Sequence, residues 1–257
     1  MPPIHIHSWG ARGAPPVLIV HGVTNTGARL RALAEGELPG APVLAPDLRG
    51  HGHSTWDPPW NVERHVADLL GVLDHEDVEG ALVVGHSFGG LLALHLACAA
   101  PGRVRGVVLL DPAVELDPGR AGAQAEEARR DEGWASVEEA RAARQALRPA
   151  HSRGTVQEDL ATFLEPCRDG RVRFRFSRPA VVAAWGEMAR PAPSLAGYPG
   201  AVTLVAANLA DYVTPGLRAS LRRDLGGRLS ETAIDAGHML FWDAPGAVGA
   251  IVREALG

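Results

Sequence analysis

The sequence predicts an α/β protein whose mostly parallel, doubly wound sheet has seven or eight strands. Short, wholly aliphatic runs alternate with helical stretches along most of the chain, and strands that are apolar throughout are typical of parallel sheets covered on both faces. The alternation is interrupted once, by a long stretch without a comparable strand. We therefore expect a sheet core formed by residues 1–114 and 200–257, and a helical insertion at 115–199 that serves as a cap.

The composition is that of an ordinary globular domain. The chain has 257 residues, of which 46% are hydrophobic and 21% charged, and its net charge of −5 gives no indication of nucleic acid or membrane as a partner. All 25 basic residues are arginines, which excludes chemistry that needs a Schiff-base or P-loop lysine. Cys98 and Cys167 do not form a disulfide framework, and neither a signal peptide nor a bilayer-spanning run is apparent. We expect a cytoplasmic protein.

The first two strands are read from different patterns. Residues 4–9 alternate between apolar and polar types, which predicts a half-exposed edge strand with His5 and His7 on one face. Such a pair can bind a metal ion, but the sequence shows no third ligand, so we interpret both as surface histidines. Residues 17–20 form a wholly apolar strand that ends in His21-Gly22. Backbone N–H groups are therefore expected to be available at its carboxyl end.

A glycine-rich loop follows the third short strand at residues 43–45. This loop, residues 47–54, reads DLRGHGHS. A metal site built from His51, His53 and Asp57 would need a further histidine pattern that Thr55 and Trp56 do not provide. We therefore interpret the segment as a structural loop whose polar groups bond to each other and to the backbone. Asn61 then caps a helix that covers the sheet.

The stretch from residue 81 to residue 99 predicts a buried strand, a tight turn and a buried helix. The turn contains Gly85-His86-Ser87-Phe88-Gly89, a G-x-S-x-G pattern in which small residues let the strand and helix approach closely. The turn exposes the serine oxygen, and the start of the helix places N–H groups beside it. Ser87 is therefore the candidate nucleophile, whereas His86 is expected to point away from it and to be packed.

The insertion follows a strand at residues 104–110, which ends at Asp111-Pro112. Ser136 with Glu139, and Thr155 with Glu158, form capping-box pairs that predict the starts of two helices. Residues 171–176 alternate charged with apolar residues and predict a short extended segment. The sheet resumes at residues 202–206, and a last strand at 229–234 precedes the final helix from about residue 245.

Three chemically suited residues are each predicted to follow a strand, and hence to lie at one edge of the sheet. Ser87 would be the nucleophile, His238 the base that takes its proton, and Asp211 the acid that orients the base. Asp111 also follows a strand and is a rival for the acid. The N–H groups of Val23 and Phe88 are the candidate donors of an oxyanion hole.

These landmarks together resemble the α/β-hydrolase superfamily, in particular its small, cap-bearing esterases and lactonases. The resemblance rests on His21-Gly22, the 47–54 loop, Gly85 to Gly90, residues 211–215 and Gly237-His238, which span nearly the whole chain in the family's order. It implies the α/β-hydrolase fold, a nucleophile at Ser87, an acid at Asp211 and a base at His238. The substrate is much less constrained. Apolar residues of the cap and the last loop could line its pocket: Trp134, Phe163, Trp185, Met188, Met239 and Trp242.

The sequence favours hydrolysis of a small carboxylic ester, lactone or thioester without a metal or other cofactor. Hydrolysis of a carbon–carbon bond is an alternative in which Arg178 or Arg190 of the cap could assist. A ligand-binding receptor with residual hydrolysis is another, and the oligomeric state is not predicted. Dehalogenase and epoxide-hydrolase chemistry are disfavoured, because these enzymes use an aspartate where this chain has Ser87.

Overall fold

A seven-stranded sheet forms the centre of the molecule in a computed structural model, which describes residues 4–11, 16–130, 133–147, 163–167 and 169–257. The strand order is β1-β3-β2-β4-β5-β8-β9, and β6 and β7 form a separate hairpin. The strands are β1 (Ile6–Trp9), β2 (Val17–Val20), β3 (Val43–Pro46), β4 (Ala81–His86), β5 (Val104–Leu110), β6 (Leu164–Pro166), β7 (Val172–Phe174), β8 (Ala201–Ala207) and β9 (Leu229–Ile234).

The sheet is parallel except at one edge. Strands β3, β2, β4, β5, β8 and β9 pair in parallel, whereas β1 runs antiparallel to β3 with Ile6 opposite Pro46. The predictions of a mostly parallel sheet and of an edge strand at the start of the chain are confirmed. The carboxyl ends of the six parallel strands therefore meet at one edge, where the loops that carry the candidate residues begin.

Helices pack on both faces of this sheet. They are α1 (Val62–His75), α2 (Phe88–Ala99), α3 (Pro118–Arg130), α4 (Val137–Leu147), α5 (Arg178–Met188), α6 (Pro215–Leu225), α7 (Leu240–Asp243) and α8 (Pro245–Leu256). The residues of β2 are all apolar because both faces of this strand are buried. Leu18 and Val20 belong to the core cluster that includes α1 and α2, whereas Val17 and Ile19 belong to the cluster that includes α8. Among the helices that the structure describes, none has the length and apolarity needed to cross a membrane.

The segment between β5 and β8 contains α3, α4, the β6–β7 hairpin and α5. Helix α4 begins as its capping box predicts, because Ser136 Oγ accepts a hydrogen bond of 3.1 Å from the Glu139 N–H. The second predicted box, Thr155 with Glu158, lies outside the described residues. Two backbone bonds join the start of α5 to the 47–54 loop of the core, from the Ser177 N–H to the Gly50 carbonyl at 2.7 Å and from the Gly52 N–H to the Arg175 carbonyl at 2.8 Å.

Candidate active site

Ser87 lies on a sharp turn between β4 and α2. Its backbone angles, φ 54° and ψ −120°, are in a region that residues other than glycine rarely adopt. The flanking glycines make this turn possible. A Cβ at Gly85 would lie 2.4 Å from the Gly89 carbonyl oxygen, and a Cβ at Gly89 would lie 2.0 Å from that of Val20. The predicted elbow is therefore present, and it needs glycine at both positions because backbone occupies the space of a side chain.

His238 follows β9 and is hydrogen-bonded to a buried carboxylate. Its Nδ1 lies 2.6 Å from Asp111 Oδ2, and the Asp111 side chain is only 1% exposed. With the ring proton on Nδ1, where it forms the hydrogen bond to this carboxylate, Nε2 is unprotonated and can accept a proton. His86 Nε2 donates a 2.8 Å hydrogen bond to the His238 carbonyl, so the residue before Ser87 holds the backbone of the His238 loop.

Asp111 is itself fixed by the two strands beside it. The residue directly follows β5, and its N–H donates to the Val205 carbonyl of β8 at 2.7 Å. Its Oδ1 accepts a 3.2 Å hydrogen bond from the Ala207 N–H, which leaves Oδ2 for His238. One carboxylate therefore bridges the end of β8 and the imidazole, and its low exposure keeps their electrostatic interaction unscreened.

The structure corrects the prediction that Asp211 partners the base. The Asp211 side chain is 84% exposed and forms an ion pair of 2.9 Å with Arg120 of α3. A three-residue turn separates Asp211 from the end of β8, which carries it past the sheet edge, whereas Asp111 follows its strand without an intervening residue. The neighbour of Asp211 does contact the base, since the Tyr212 ring stacks on His238 with 3.9 Å between ring centroids. The Arg120 guanidinium carbon in turn lies 4.3 Å from the centroid of the Tyr212 ring.

The two predicted oxyanion donors belong to segments that adjoin the serine. Phe88 is the first residue of α2, so its N–H has no carbonyl one turn earlier to bond within the helix. Val23 follows Gly22, and a Cβ built on Gly22 would lie 3.3 Å from Ser87 Oγ. The loop after β2 therefore runs directly beside the serine oxygen. This proximity is consistent with the predicted role of the Val23 N–H, which stays a prediction.

Buried neutral histidines fix the loop that contains Val23. His21 Nε2 accepts a 2.9 Å hydrogen bond from the Leu48 N–H, so its proton is on Nδ1, which donates to the Gly22 carbonyl at 2.7 Å. Burial lowers the pKa of His21 to about 4, which keeps this acceptor available at neutral pH. His51 acts in the same way: its Nε2 accepts from the Thr24 N–H at 3.3 Å, and burial lowers its pKa to about 3.

The six predicted pocket residues divide into two groups. Trp185 and Met188 are 7% and 0% exposed on the inner face of α5, within the main core cluster, which favours a packing role for these two. Phe163 and Trp242 both contact the Arg29 guanidinium, at 4.2 Å and 5.3 Å from their ring centroids. Trp134 packs edge-on against Phe174, and Met239 precedes α7. A substrate pocket lined by these residues stays a prediction.

Of the two arginines considered for carbon–carbon hydrolysis, Arg178 and Arg190, the second is already ion-paired. Arg190 lies 3.1 Å from Glu63 of α1 and 2.6 Å from Glu187. The cysteines are both free thiols, as expected. Residues that could hold a metal ion are found at a different place, at the start of the edge strand β1, where His7 of the strand and the preceding His5 approach Asp47.

A serine on a strand–helix elbow and, in a loop bonded to the residue before that serine, an imidazole hydrogen-bonded to a buried carboxylate are features typical of serine-dependent hydrolases with an α/β sheet. The chain belongs to the alpha/beta hydrolase family, whose sequence model matches residues 17–251. A curated relative, Lipase LipV of Mycobacterium tuberculosis, is 38% identical over 257 residues, covering 99% of this chain and 98% of the relative. At the level of the family, such relatives support hydrolysis of esters.

Solved structures share the same fold. E-2-(acetamidomethylene)succinate hydrolase superposes with a TM-score of 0.87 at 19% identity, covering 98% of this chain and 94% of that one. The enol-lactonase from Burkholderia xenovorans LB400 superposes with a TM-score of 0.79 at 19% identity, covering 98% of this chain and 96% of that one. At these identities the likeness shows the α/β-hydrolase fold alone, and the seven-stranded sheet agrees with it.

Proposed function

We propose that this protein hydrolyses a small carboxylic ester, lactone or thioester through an acyl-enzyme formed on Ser87. The observation that carries the proposal is the 2.6 Å hydrogen bond between His238 Nδ1 and the buried Asp111 carboxylate, in a loop that is bonded to His86, the residue before Ser87. The name of the lipase that is 38% identical over nearly the full length supports an ester substrate. The acid in this proposal is Asp111, not Asp211.

Acylation starts with attack of Ser87 Oγ on the carbonyl carbon of the substrate. His238 Nε2 takes the hydroxyl proton, and the imidazolium that results is stabilised by the Asp111 carboxylate. The negative charge passes to the carbonyl oxygen, which accepts hydrogen bonds from the N–H groups of Phe88 and Val23. The bond to the leaving oxygen or sulfur then breaks, and that atom takes the proton from His238.

Deacylation repeats these steps with water. His238 Nε2 takes a proton from the water as its oxygen attacks the acyl carbon, and the same two N–H groups bind the second oxyanion. The bond to Ser87 Oγ breaks, the serine recovers its proton from His238, and the carboxylic acid leaves. With a lactone, the alcohol released in the first step stays attached to the acyl group and leaves with it.

We further propose that residues 115–199 form a cap that selects the substrate. Support comes from the bonds that tie the start of α5 to the 47–54 loop, and from Phe163, whose ring packs against Arg29 of the core. A guanidinium among aromatic rings suits an acyl or alcohol group that carries a carboxylate. Graded substrates with and without such a group test this part of the proposal separately from the chemistry at Ser87.

Labelling and hydrolysis test the proposed nucleophile. A fluorophosphonate should label the wild-type protein and Ser230→Ala, a control at an exposed serine of β9, and both should hydrolyse a short p-nitrophenyl ester. Ser87→Ala should lose both properties. The proposal is wrong if the wild type takes no label and hydrolyses no member of a panel of esters, lactones and thioesters.

Two other results would change the proposed function but would leave Ser87 as the proposed nucleophile. Turnover of a vinylogous diketone far above that of every ester would indicate a carbon–carbon hydrolase. A single slow turnover with tight retention of the product would indicate a receptor that uses the same pocket. Both are distinguished from an esterase by their steady-state rates.

A further inference from the structure

We propose that His5, His7 and Asp47 form a binding site for a divalent transition-metal ion such as Zn²⁺. A ligand atom of each residue lies within 4.8 Å of the other two. His7 Nε2 and Asp47 Oδ1 are 3.2 Å apart. Two ligands at the usual zinc distances in a tetrahedral site are separated by about 3.3 Å, so this pair is already spaced to share an ion.

The pairing of β1 with β3 supplies the ligand that the sequence alone did not show. His5 and His7 point to the same face because they are two residues apart near the edge of the sheet. Residue Ile6 lies opposite Pro46, and the Asp47 N–H donates to the His5 carbonyl at 2.9 Å. The antiparallel register therefore brings the carboxylate that follows β3 to the two imidazoles, although 40 residues separate His7 from Asp47.

The Asp47 carboxylate is held in place and has lone pairs left for an ion. Its side chain is buried, with Oδ1 accepting a 2.9 Å bond from the Gly27 N–H and Oδ2 a 2.8 Å bond from the His53 N–H. A carboxylate offers about four lone-pair directions, so these two amides leave others free for a further bond. The ion would take the place of the proton between His7 and Asp47, with the imidazole proton then on Nδ1.

The surroundings determine which ion fits. His5 is exposed and His7 is half-buried, so an ion can enter from solvent. The ring of His53 lies 5.2 Å from that of His5, but its Nδ1 accepts a 2.7 Å hydrogen bond from Arg175, which leaves the ring proton on Nε2, so a water would complete the coordination. Imidazole nitrogens with one carboxylate oxygen suit Zn²⁺, Ni²⁺ or Cu²⁺, whereas Mg²⁺ prefers a shell of oxygens.

Binding would stabilise the fold without participating in the chemistry proposed for Ser87. Asp47 bonds to Gly27, and the next residue, Leu48, bonds to His21 beside the Val23 loop. An ion would therefore join the edge strand to the loop that supports this part of the site. Since an ion that binds only the folded protein stabilises it by mass action, Zn²⁺ should raise the melting temperature.

Calorimetric titration of the full chain with zinc chloride near neutral pH tests the proposal. Wild type should bind one ion, and His5→Gln and His7→Gln should each weaken binding by about tenfold or more. His75→Gln, at a half-exposed histidine of α1, is the matched control and should bind as wild type does. Magnesium chloride at the same concentration should neither bind nor raise the melting temperature.

A second pair of variants separates this site from the candidate active site. Ser87→Ala and His238→Gln should keep wild-type zinc affinity, so the result does not depend on the proposed hydrolysis. The proposal is overturned if His238→Gln abolishes binding, because the ion would then sit at the active-site imidazole. It is also overturned if His5→Gln, whose exposed position should tolerate the change, binds zinc as tightly as wild type.

Discussion

Replacement of Asp111 by asparagine tests which carboxylate supports the base. Asparagine has nearly the same size and can still accept the hydrogen bond from the Ala207 N–H, so the fold around β8 should survive. The group 2.6 Å from His238 Nδ1 then becomes an amide N–H₂. Two donors cannot face each other, so the imidazole adopts the tautomer with its proton on Nε2, which cannot accept the proton of Ser87.

The expected loss follows from the burial of this pair. Asp111 is 1% exposed, so no solvent screens its interaction with the imidazolium that forms during the reaction. For a buried aspartate in this role, the same replacement reduces kcat by about 10⁴, or about 5 kcal/mol in activation free energy. Asp211→Asn is the matched control. Its side chain is 84% exposed and bound to Arg120, so we expect a change of about threefold at most.

The assay is kcat and KM for a short p-nitrophenyl ester, with urea unfolding as the check on folding. Asp111→Asn should lose kcat with little change in KM and in the free energy of unfolding, and fluorophosphonate labelling should slow in parallel. The reasoning is refuted if Asp211→Asn loses activity by orders of magnitude while Asp111→Asn stays active. Asp211 would then have to reach His238 by a movement of the loop after β8.

Three further predictions concern packing and charge. Gly22→Ala should lower kcat by about tenfold to a hundredfold, because the new Cβ would lie 2.9 Å from the serine Cβ, and Gly36→Ala, with open space around it, should not; equal rates for the two would contradict this. His65→Leu should reduce the pH dependence of the free energy of unfolding between pH 6.5 and 5 by about 1 kcal/mol per pH unit, measured by urea titration. Burial lowers the pKa of His65 to about 3, so on acidification the unfolded chain takes up a proton that the folded chain does not, and the free energy of unfolding decreases as the pH is lowered. An unchanged dependence of this free energy on pH in His65→Leu would contradict the prediction. Asp68→Asn should cost about 3–5 kcal/mol in urea unfolding because it leaves Arg49, bound at 2.7 Å and buried, without its counter-charge, and a cost below 1 kcal/mol would contradict this.

The sheet and the elbow could be predicted from the sequence because each follows from a local pattern. Residues 17–20 must be apolar when both faces of their strand are covered, and the two core clusters on either side of β2 show this directly. The glycines at 85 and 89 are likewise required by backbone contacts of the elbow itself. Such constraints act within a few residues and are therefore visible in the order of residues.

The partner of the base could not be decided from local patterns. Asp111 and Asp211 both follow strands, and β5 and β8 are neighbours in the sheet, so both predictions placed a carboxylate at the same edge. What distinguishes them is the three-residue turn after β8. A closer signal was available, since Asp111 comes directly after its strand and therefore has little freedom to leave the sheet edge. The stacking of Tyr212 on His238 could not be predicted, because no short sequence pattern indicates this contact.

The 47–54 loop was correctly interpreted as structural, and the structure explains why it contains so many polar residues. Asp47 binds the start of the loop to Gly27, Leu48 bonds to His21, and His51 accepts the Thr24 N–H. Each bond ends on the segment that carries the Val23 N–H, so the loop after β3 fixes the loop after β2. Because His21 and His51 accept these bonds only as neutral imidazoles, acid strong enough to protonate them should loosen the loop that carries the candidate oxyanion donor. Asp47 of this loop also contacts His7. A metal ion bound to Asp47 would therefore be connected to the loop that carries Val23 through the hydrogen bond between Asp47 and Gly27.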